Sequence, residues 1–230
     1  MTRTGNQARV SPFSPAERRR RNRAEMTQAI LAAAQESMRQ EGAAALNLNE
    51  VARRLGLKTP SLYEYFPGGK MQIYDALFRL GMQIFGERVA PLRQQPDWVE
   101  YLRGAMETYM RFARDFPELY QICFERPVPG FEPSPESLQV SLATYRATVE
   151  EITRRMQAGE LQPAAGLTPQ QVVDLAIGMV QGLTSQHMAN EPHLPVGQGR
   201  YGSLIPAAVA IFEKAWSPKL NRVGSTRKEN

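Results

Sequence analysis

The sequence predicts an all-α protein, in which an N-terminal three-helix, helix-turn-helix domain precedes a larger helical bundle. Apolar residues recur at helical spacings of three and four, and strand-like alternation does not persist. Capping residues, Pro and Gly mark where helices start and stop. Residues 47–66 hold two short helical patterns separated by a tight turn. The 230 residues suffice for one small domain and a larger one with a sizeable core.

The first short helix has a clear beginning and end. Asn47 suits the N-cap, and Glu50 three positions later could return the hydrogen bond. Gly56 suits the left-handed conformation that ends a helix. The apolar residues that share one face are Leu48, Val51, Ala52 and Leu55.

The second short helix would present a polar surface. Thr59 can cap it, and Pro60 fits its first turn because proline has no amide hydrogen to lose there. Leu62 and Phe66 lie one turn apart and should bury against the first helix. The outward residues are then Lys58, Thr59, Ser61, Tyr63, Glu64 and Tyr65. After Pro67-Gly68-Gly69, a further helix begins with Lys70. A helix in this setting can enter the major groove of DNA; an ordinary helical hairpin of a bundle is the alternative.

Positive charge is concentrated near the N-terminus. Arg18, Arg19, Arg20, Arg21 and Arg23 occupy five of six consecutive positions. Residues 1–70 carry twelve Arg and Lys against six Asp and Glu, a net of +6, whereas the whole chain is +5, so the remainder is about −1. This asymmetry suits a polyanionic partner. We expect residues 1–24 to be a flexible basic arm, becoming helical near Ala24, that either follows DNA phosphates or is a solvated tail.

Residues 25–80 resemble the tetracycline-repressor (TetR) family of transcriptional regulators. The matching segments are Ile30–Ala34, Gly42, Leu48–Ala52, Gly56-Leu57, Ser61–Phe66, Gly69-Lys70 and Leu77. The resemblance implies that Tyr63, Tyr65 and Lys70 contact phosphates, and that Asn47 caps its helix against a phosphate where the family commonly has Thr or Ser. It also implies a groove-facing surface of Lys58, Thr59, Pro60, Ser61 and Glu64. The chain departs from the family at Lys58-Thr59-Pro60, so no operator sequence carries over.

The remaining chain predicts a helical bundle at residues 73–217, after a DNA-binding domain at 25–72 and before a disordered tail at 218–230. Asp97, Ser134 and Thr168 each open a helix. A last helix at 203–216 is expected to turn a set of apolar residues inward: Leu204, Ala208, Ile211, Phe212 and Ala215.

The segment Phe112–Tyr120 resembles a TetR subgroup, although Gln181 departs from its pattern. The resemblance implies a homodimer paired through helices at about 168–189 and 203–216. The candidate interface residues are Gly178, Gly182, Ala208 and Ile211; for the glycines, close packing within one subunit is the alternative. The resemblance also implies a small-molecule pocket in the bundle. Its candidate lining residues, each of which could instead be plain core, are Met106, Tyr109, Met110, Phe116, Tyr120, Phe124, Met179 and His187.

Enzymatic chemistry is not expected. The two histidines, His187 and His193, share one region, and neither a catalytic triad nor a phosphate-binding glycine loop is evident. We expect no metal and no cofactor. The single cysteine, Cys123, excludes an internal disulfide and reads as core packing, with redox sensing as the alternative. With no signal-type segment at its start and only a short apolar run at Leu204–Phe212, the protein is expected to be cytoplasmic, without a membrane partner.

The sequence therefore favours a homodimeric regulator that binds a near-palindromic double-stranded DNA operator and responds to a small-molecule effector, with repression as the favoured outcome. The alternative is an all-α binding or adaptor protein whose basic arm tethers it to RNA or to an anionic membrane.

Overall fold

The computed structural model describes residues 14–163 and 166–218, and within them every regular element is helical. The all-α prediction is confirmed. The α-helices are α1 (Pro15–Glu41), α2 (Leu48–Arg54), α3 (Thr59–Tyr65), α4 (Gly69–Val89), α5 (Trp98–Asp115), α6 (Pro117–Tyr120), α7 (Pro135–Gln157), α8 (Pro169–Asn190), α9 (Gly199–Gly202) and α10 (Ile205–Trp216). Short 3-10 helices occupy Ala43–Ala45 and Ala90–Gln94, and a π-helical turn occupies Gln121–Glu125.

Helix α1 begins earlier than the sequence analysis expected. Ser14 and Glu17 form a capping box, in which Glu17 N donates to Ser14 Oγ at 3.2 Å and Ser14 N donates to Glu17 Oε2 at 2.7 Å. Pro15 occupies the first turn, where its fixed φ angle favours helix. Residues 15–24 are therefore helical, and the expectation of a flexible arm there was wrong. The rest of that arm, residues 1–13, and the tail at 219–230 lie outside the described residues.

Helix α4 joins the two parts of the molecule. It packs most extensively on α7 and also contacts α1, α5 and α6. Because α4 runs without a break from Gly69 to Val89, the boundary expected after residue 72 falls inside a helix. Ile30 of α1 and Trp216 of α10 belong to the same continuous cluster of buried apolar residues. The helix-turn-helix and the bundle therefore share both a helix and a core.

Helix α10 is rotated relative to the expected orientation. Ala208 and Phe212 are buried as predicted, but Leu204, Ile211 and Ala215 are exposed. The residues that complete the inward face are Ile205, Val209 and Trp216. The error is one of helical phase, because a shift of one position turns a helix by about 100°.

Candidate DNA-binding surface and ligand cavity

The start of α2 is capped by Asn47, whose side chain accepts from Asn49 N at 2.9 Å. Glu50 does not return the expected bond to the cap. Its carboxylate instead accepts from Arg53 at 2.8 Å and from Arg54 at 2.8 Å. These two guanidinium groups lower the pKa of Glu50 to about 2. The end of α2 is therefore held by an ion-paired cluster, and Asn47 alone satisfies its beginning.

The turn between α2 and α3 depends on Gly56, whose φ of +66° lies in the left-handed region. Leu57 N donates to Ala52 O at 2.9 Å and closes the turn. The sequence analysis expected Thr59 to be the N-cap of α3, but the N-cap is Lys58. The Thr59 hydroxyl donates to Asn49 Oδ1 at 2.7 Å, so it ties α3 to α2.

Helix α3 buries one side and exposes the other. Leu62 and Phe66 are buried as predicted. Lys58, Pro60 and Glu64 are exposed, while the predicted groove residues Thr59 and Ser61 are half-buried. Tyr63 is 48% exposed, so its ring and hydroxyl are accessible from solvent. The second helix of the motif thus presents a mixed polar and aromatic face outward.

Two predicted phosphate contacts meet where α4 begins. A Cβ built on Gly69 would lie 3.2 Å from Tyr63 Cε1, so the Tyr63 ring rests against the first turn of α4. Lys70 follows directly, with Nζ at 3.4 Å from Ala44 O and 5.7 Å from the Tyr74 ring centre. The start of a helix attracts anions through its free amides and its dipole. Tyr63 and Lys70 therefore both lie at the first turn of α4, where the Gly68 amide already donates to Gln72 Oε1 at 2.8 Å.

An arginine from α1 holds the far end of α3. Arg23 donates to Glu64 O at 2.7 Å and lies 5.3 Å from the centre of the Tyr65 ring. Tyr65, another predicted phosphate contact, is half-buried beneath this guanidinium. The sequence analysis counted Arg23 within the basic cluster but did not assign it this position. Arg18, Arg19, Arg20 and Arg21 lie on exposed positions of α1.

The bundle contains a partly open cavity of about 230 Å³ between α4, α5, α7 and α8. Of the candidate lining residues, Met106, Tyr109 and Phe124 reach it. Met110 and Tyr120 are buried in the core beside it, and Phe116 packs under Arg88, whose guanidinium lies 4.9 Å from the ring centre. These latter three residues do not line the cavity, and neither does Met179.

His187 does not line the cavity either. It is fully buried, with Nε2 at 3.2 Å from Leu194 O and Nδ1 at 4.0 Å from Glu191 Oε2. A Cβ on Gly202 would lie 3.2 Å from His187 Nδ1, which places α9 directly against the ring. His187 thus fastens the segment after α8, and the prediction that it lines the cavity was wrong.

Sequence reasoning missed the contribution of α7 to the cavity. Ser141, Thr144 and Thr148 line it from one face of this helix, at spacings of three and four. The Thr148 hydroxyl donates to Thr144 O at 3.0 Å and also interacts with the Tyr101 side chain. The sequence did contain a signal for this contribution. Small hydroxyl residues stand where a packed helix normally carries large apolar ones, and small side chains leave space for a cavity.

The candidate dimer residues divide into two groups. Gly178 and Gly182 face open space, since a Cβ built on either meets no heavy atom of the described chain within 4 Å. Close packing within one subunit therefore does not account for these glycines. Leu175 at 50% exposure and Ile211 at 58% exposure extend the apolar surface of α8 and α10. Ala208, by contrast, is buried inside the subunit, so the structure contradicts its placement at an interface.

The geometry defines a helix-turn-helix protein with a cavity in its bundle. Residues 30–77 match the sequence model of the bacterial regulatory proteins of the tetR family. This match confirms the resemblance seen in the sequence for these residues, which form a DNA-binding domain of the TetR type. No curated protein matches the sequence closely enough to serve as a relative.

Solved structures share the fold at low sequence identity. A protein of unknown function from Rhodococcus has 18% identity and a TM-score of 0.69, over 84% of this chain and 96% of that one. The TetR family transcriptional regulator PfmR from Thermus thermophilus has 17% identity and a TM-score of 0.61, over 81% and 97%. The transcriptional regulator FadR from Bacillus subtilis, in complex with stearoyl-CoA, has 17% identity and a TM-score of 0.62, over 80% and 96%.

Two other kinds of site are absent from the described residues. None of the helices in this part of the chain combines the length and the hydropathy needed to span a bilayer. In the same residues, no three His, Cys, Asp or Glu side chains are grouped so as to hold a metal ion.

Proposed function

We propose that the protein is a homodimeric repressor that binds a near-palindromic DNA operator and is released by a small-molecule effector. The observation that carries this proposal is the outward face of α3, with half-exposed Tyr63 beside Lys70 at the start of α4. Hydroxyl and ammonium groups at a helix start are suited to phosphate, and the neighbouring face of α3 is suited to base edges. We propose the residues predicted above in these two roles.

Homodimerisation is supported by the exposed apolar surface of α8 and α10. Leu175, Gly178 and Gly182 of α8 lie on one broad side, and Ile211 of α10 is exposed as well. The glycines would let a partner helix approach closely, because nothing of the described subunit fills the space above them. A two-fold dimer would present two copies of α3 to successive major grooves, which is why a near-palindromic operator follows.

An effector site in the bundle is supported by the apolar cavity, and by the stearoyl-CoA complex of the similarly folded Bacillus subtilis FadR. A ligand can shift the equilibrium between two states of the protein only by the difference in its affinity for those states. Its effect on DNA affinity must therefore equal the effect of DNA on ligand affinity.

The test begins by selecting bound duplexes from a random pool and then measures variants on the selected site. We expect Tyr63→Ala and Lys70→Ala to weaken binding to selected and unselected duplexes by similar factors, because phosphates carry no sequence information. Lys58→Ala and Ser61→Ala should instead change which bases are preferred, with discrimination of about 1–3 kcal/mol per contact.

Arg111→Ala is the control, because Arg111 is an exposed basic residue on α5, a helix with no proposed role in DNA binding or dimerisation. It should leave both affinity and base preference unchanged. Unaltered DNA affinity in both Tyr63→Ala and Lys70→Ala would refute the phosphate assignments, and failure of the wild-type chain to bind any duplex at low salt would refute the proposed function.

A further inference from the structure

The lining of the bundle cavity identifies the class of its ligand. We infer that the cavity takes an uncharged, largely apolar molecule of about two fused rings, with its polar group near the Tyr109 hydroxyl, and that it rejects anions and cations of the same shape. This inference rests on the proposed function in treating the cavity as the effector site. It adds the size and charge of the effector.

Size follows from volume. A cavity of roughly 150 Å³ lined by apolar side chains accommodates benzene. The cavity here measures about 230 Å³, which corresponds to a second ring or to several additional carbons. An eighteen-carbon acyl chain would exceed it by a wide margin.

Charge is excluded by the lining. Among the described residues, the cavity wall contains no Asp, Glu, Lys, Arg or His. Its polar atoms belong to hydroxyl groups such as those of Ser141 and Thr144, and to the tyrosines. Burial is the main reason why the pKa values of Tyr101 and Tyr109 lie above their ordinary value, so both rings remain neutral. An ion entering this space would lose its hydration without gaining a counter-charge, which is strongly unfavourable.

One buried cation, Arg155, lies behind the cavity wall, and its hydrogen bonds are already made within the protein. Arg155 is fully buried, with its guanidinium 5.0 Å from the centre of the Tyr101 ring. Its Nε donates to Glu151 at 2.6 Å, Nη1 to Glu160 at 3.2 Å and to Pro96 O at 3.3 Å, and Nη2 to Gln95 O at 2.6 Å. Arg155 therefore cannot turn toward a ligand carboxylate without giving up bonds that satisfy a buried charge.

Two features favour an aromatic ligand that has one polar group. Phe85, Tyr109 and Phe124 form an aromatic wall, with ring centres 5.7 Å apart for Phe85–Tyr109, 5.3 Å for Phe85–Phe124 and 4.8 Å for Tyr109–Phe124. Such rings accept a further ring edge-to-face or offset. The buried Tyr109 hydroxyl forms no hydrogen bond of acceptable geometry among the described residues, although the Tyr120 hydroxyl is close enough to contribute to its raised pKa. Because leaving a buried hydroxyl unpaired costs free energy, a ligand that pairs with it gains affinity.

The experiment compares three probes that share the naphthalene ring: naphthalenemethanol, which is neutral, naphthoate, which is an anion, and naphthylmethylammonium, which is a cation. Binding to the full chain is measured by calorimetry at neutral pH. We expect the alcohol to bind at least tenfold more tightly than either ion. Tyr109→Phe should weaken the alcohol severalfold while leaving the affinity for unsubstituted naphthalene unchanged.

Location is tested by filling the cavity. Ala105→Phe and Ala176→Phe each place a ring inside it and should abolish binding of the alcohol. Ala143→Phe is the matched control, because Ala143 is exposed on α7 and does not line this cavity. Thermal unfolding establishes which variants fold. If neither Ala105→Phe nor Ala176→Phe folds, the relative affinities of the three probes and the effect of Tyr109→Phe still test the inference.

Three results would overturn the inference: either ion binding as tightly as the alcohol, no binding of the alcohol, or full binding to folded Ala105→Phe and Ala176→Phe. The same preparations are assayed on duplex DNA, which separates this inference from the proposed function. A chain that binds the alcohol but no duplex would refute only the proposed function. A chain that binds duplexes but prefers naphthoate would refute only the neutral ligand.

Discussion

The surroundings of Cys123 distinguish between the two interpretations of this residue, core packing and redox sensing. The residue is buried, and its thiol donates to Phe78 O at 3.5 Å. A Cβ added at Gly81 would lie 2.6 Å from Cys123 Sγ, so the absence of a side chain at Gly81 makes room for the sulfur. Burial raises the pKa of Cys123 to about 12 from an ordinary value of 9.0. These surroundings keep the thiol protonated and support the packing role.

Cys123 should therefore resist alkylation while the protein is folded. Reaction requires the thiolate, and a rise in pKa of about three units lowers the thiolate fraction at pH 8 by roughly a thousandfold. We expect iodoacetamide to modify Cys123 at least a hundredfold more slowly in buffer than in denaturant, as measured by mass spectrometry over time. Equal rates in the two conditions would show that the thiol is accessible and would reopen the sensing interpretation.

Among the elements, α1 differs most from its predicted form, and the difference gives its arginines defined directions. Gln35 and Arg39 contact the bundle near one end of α1, whereas Arg23 contacts α3. From Arg39 to Arg23 the helix covers about 24 Å. Residues 15–22 then continue beyond the contact with α3, away from the end of α1 that touches the bundle. Arg19 and Arg20 precede Arg23 by four and three positions and share its face.

Arg19→Ala and Arg20→Ala should each weaken DNA binding, and each should flatten the slope of log affinity against log salt by about 0.9 if one phosphate contact is lost. Arg18→Ala is the matched control, because Arg18 precedes Arg23 by five positions and therefore points to the opposite side of the helix. The measurement is a salt titration on a single duplex. Equal slopes for all three variants and the wild type would mean that this face of α1 does not touch DNA.

Sequence patterns predicted elements well where local chemistry dominates. The caps at Asn47, Asp97, Ser134 and Thr168 all begin helices as expected. The same rule applied to Ser14 and Glu17 would have started α1 correctly, but the dense arginine run was interpreted as disorder. The inward face of α10 was misassigned because the helix itself carries apolar residues on nearly every side. Periodicity does not fix the phase of such a helix, and only tertiary packing does.

At the scale of the whole molecule, a polar network joins the DNA-binding domain to the bundle. The side chain of Glu118 in α6 is fully buried. It accepts from Gln35 at 2.6 Å and from Arg39 at 3.1 Å and 3.0 Å, so the carboxylate is held in a bidentate grip from α1. Gln121 Oε1 accepts from Ala43 N at 3.3 Å. The π-helical turn that contains Gln121 also carries Phe124, which lines the cavity.

Arg39→Met should lower the free energy of unfolding by roughly 2 kcal/mol, less than for a fully buried ion pair because Arg39 itself is partly exposed. Arg111→Met provides a control of matched exposure, since the two side chains are 44% and 45% exposed. The partner of Arg111, Glu107, is also partly exposed, so its loss should cost less than about 0.5 kcal/mol. Urea denaturation measures both values, and equal effects would show that burial of Glu118 contributes nothing.

The cavity shows where sequence reasoning reached its limit. Met106, Tyr109 and Phe124 were predicted, because a large apolar residue in a bundle is a reasonable candidate for either core or pocket. Which of these roles a residue takes depends on whether the opposite helix fills the space. That depends on small residues such as Ser141 and Thr144, more than thirty positions away from Met106 and Tyr109 in the chain. Non-local complementarity of this kind has no periodic signature.

The continuity of α4 has a mechanical consequence. Phe85 forms part of the cavity wall near one end of the helix, and Lys70 sits in its first turn. These residues are separated by about 22 Å along the axis, so a tilt of about 5° pivoting near Phe85 would swing Lys70 by about 2 Å. A displacement of that size is comparable to the length of a hydrogen bond. Under the proposed function, a rigid helix of this length would convert a small rearrangement at the ligand into loss of the contact between Lys70 and a DNA phosphate.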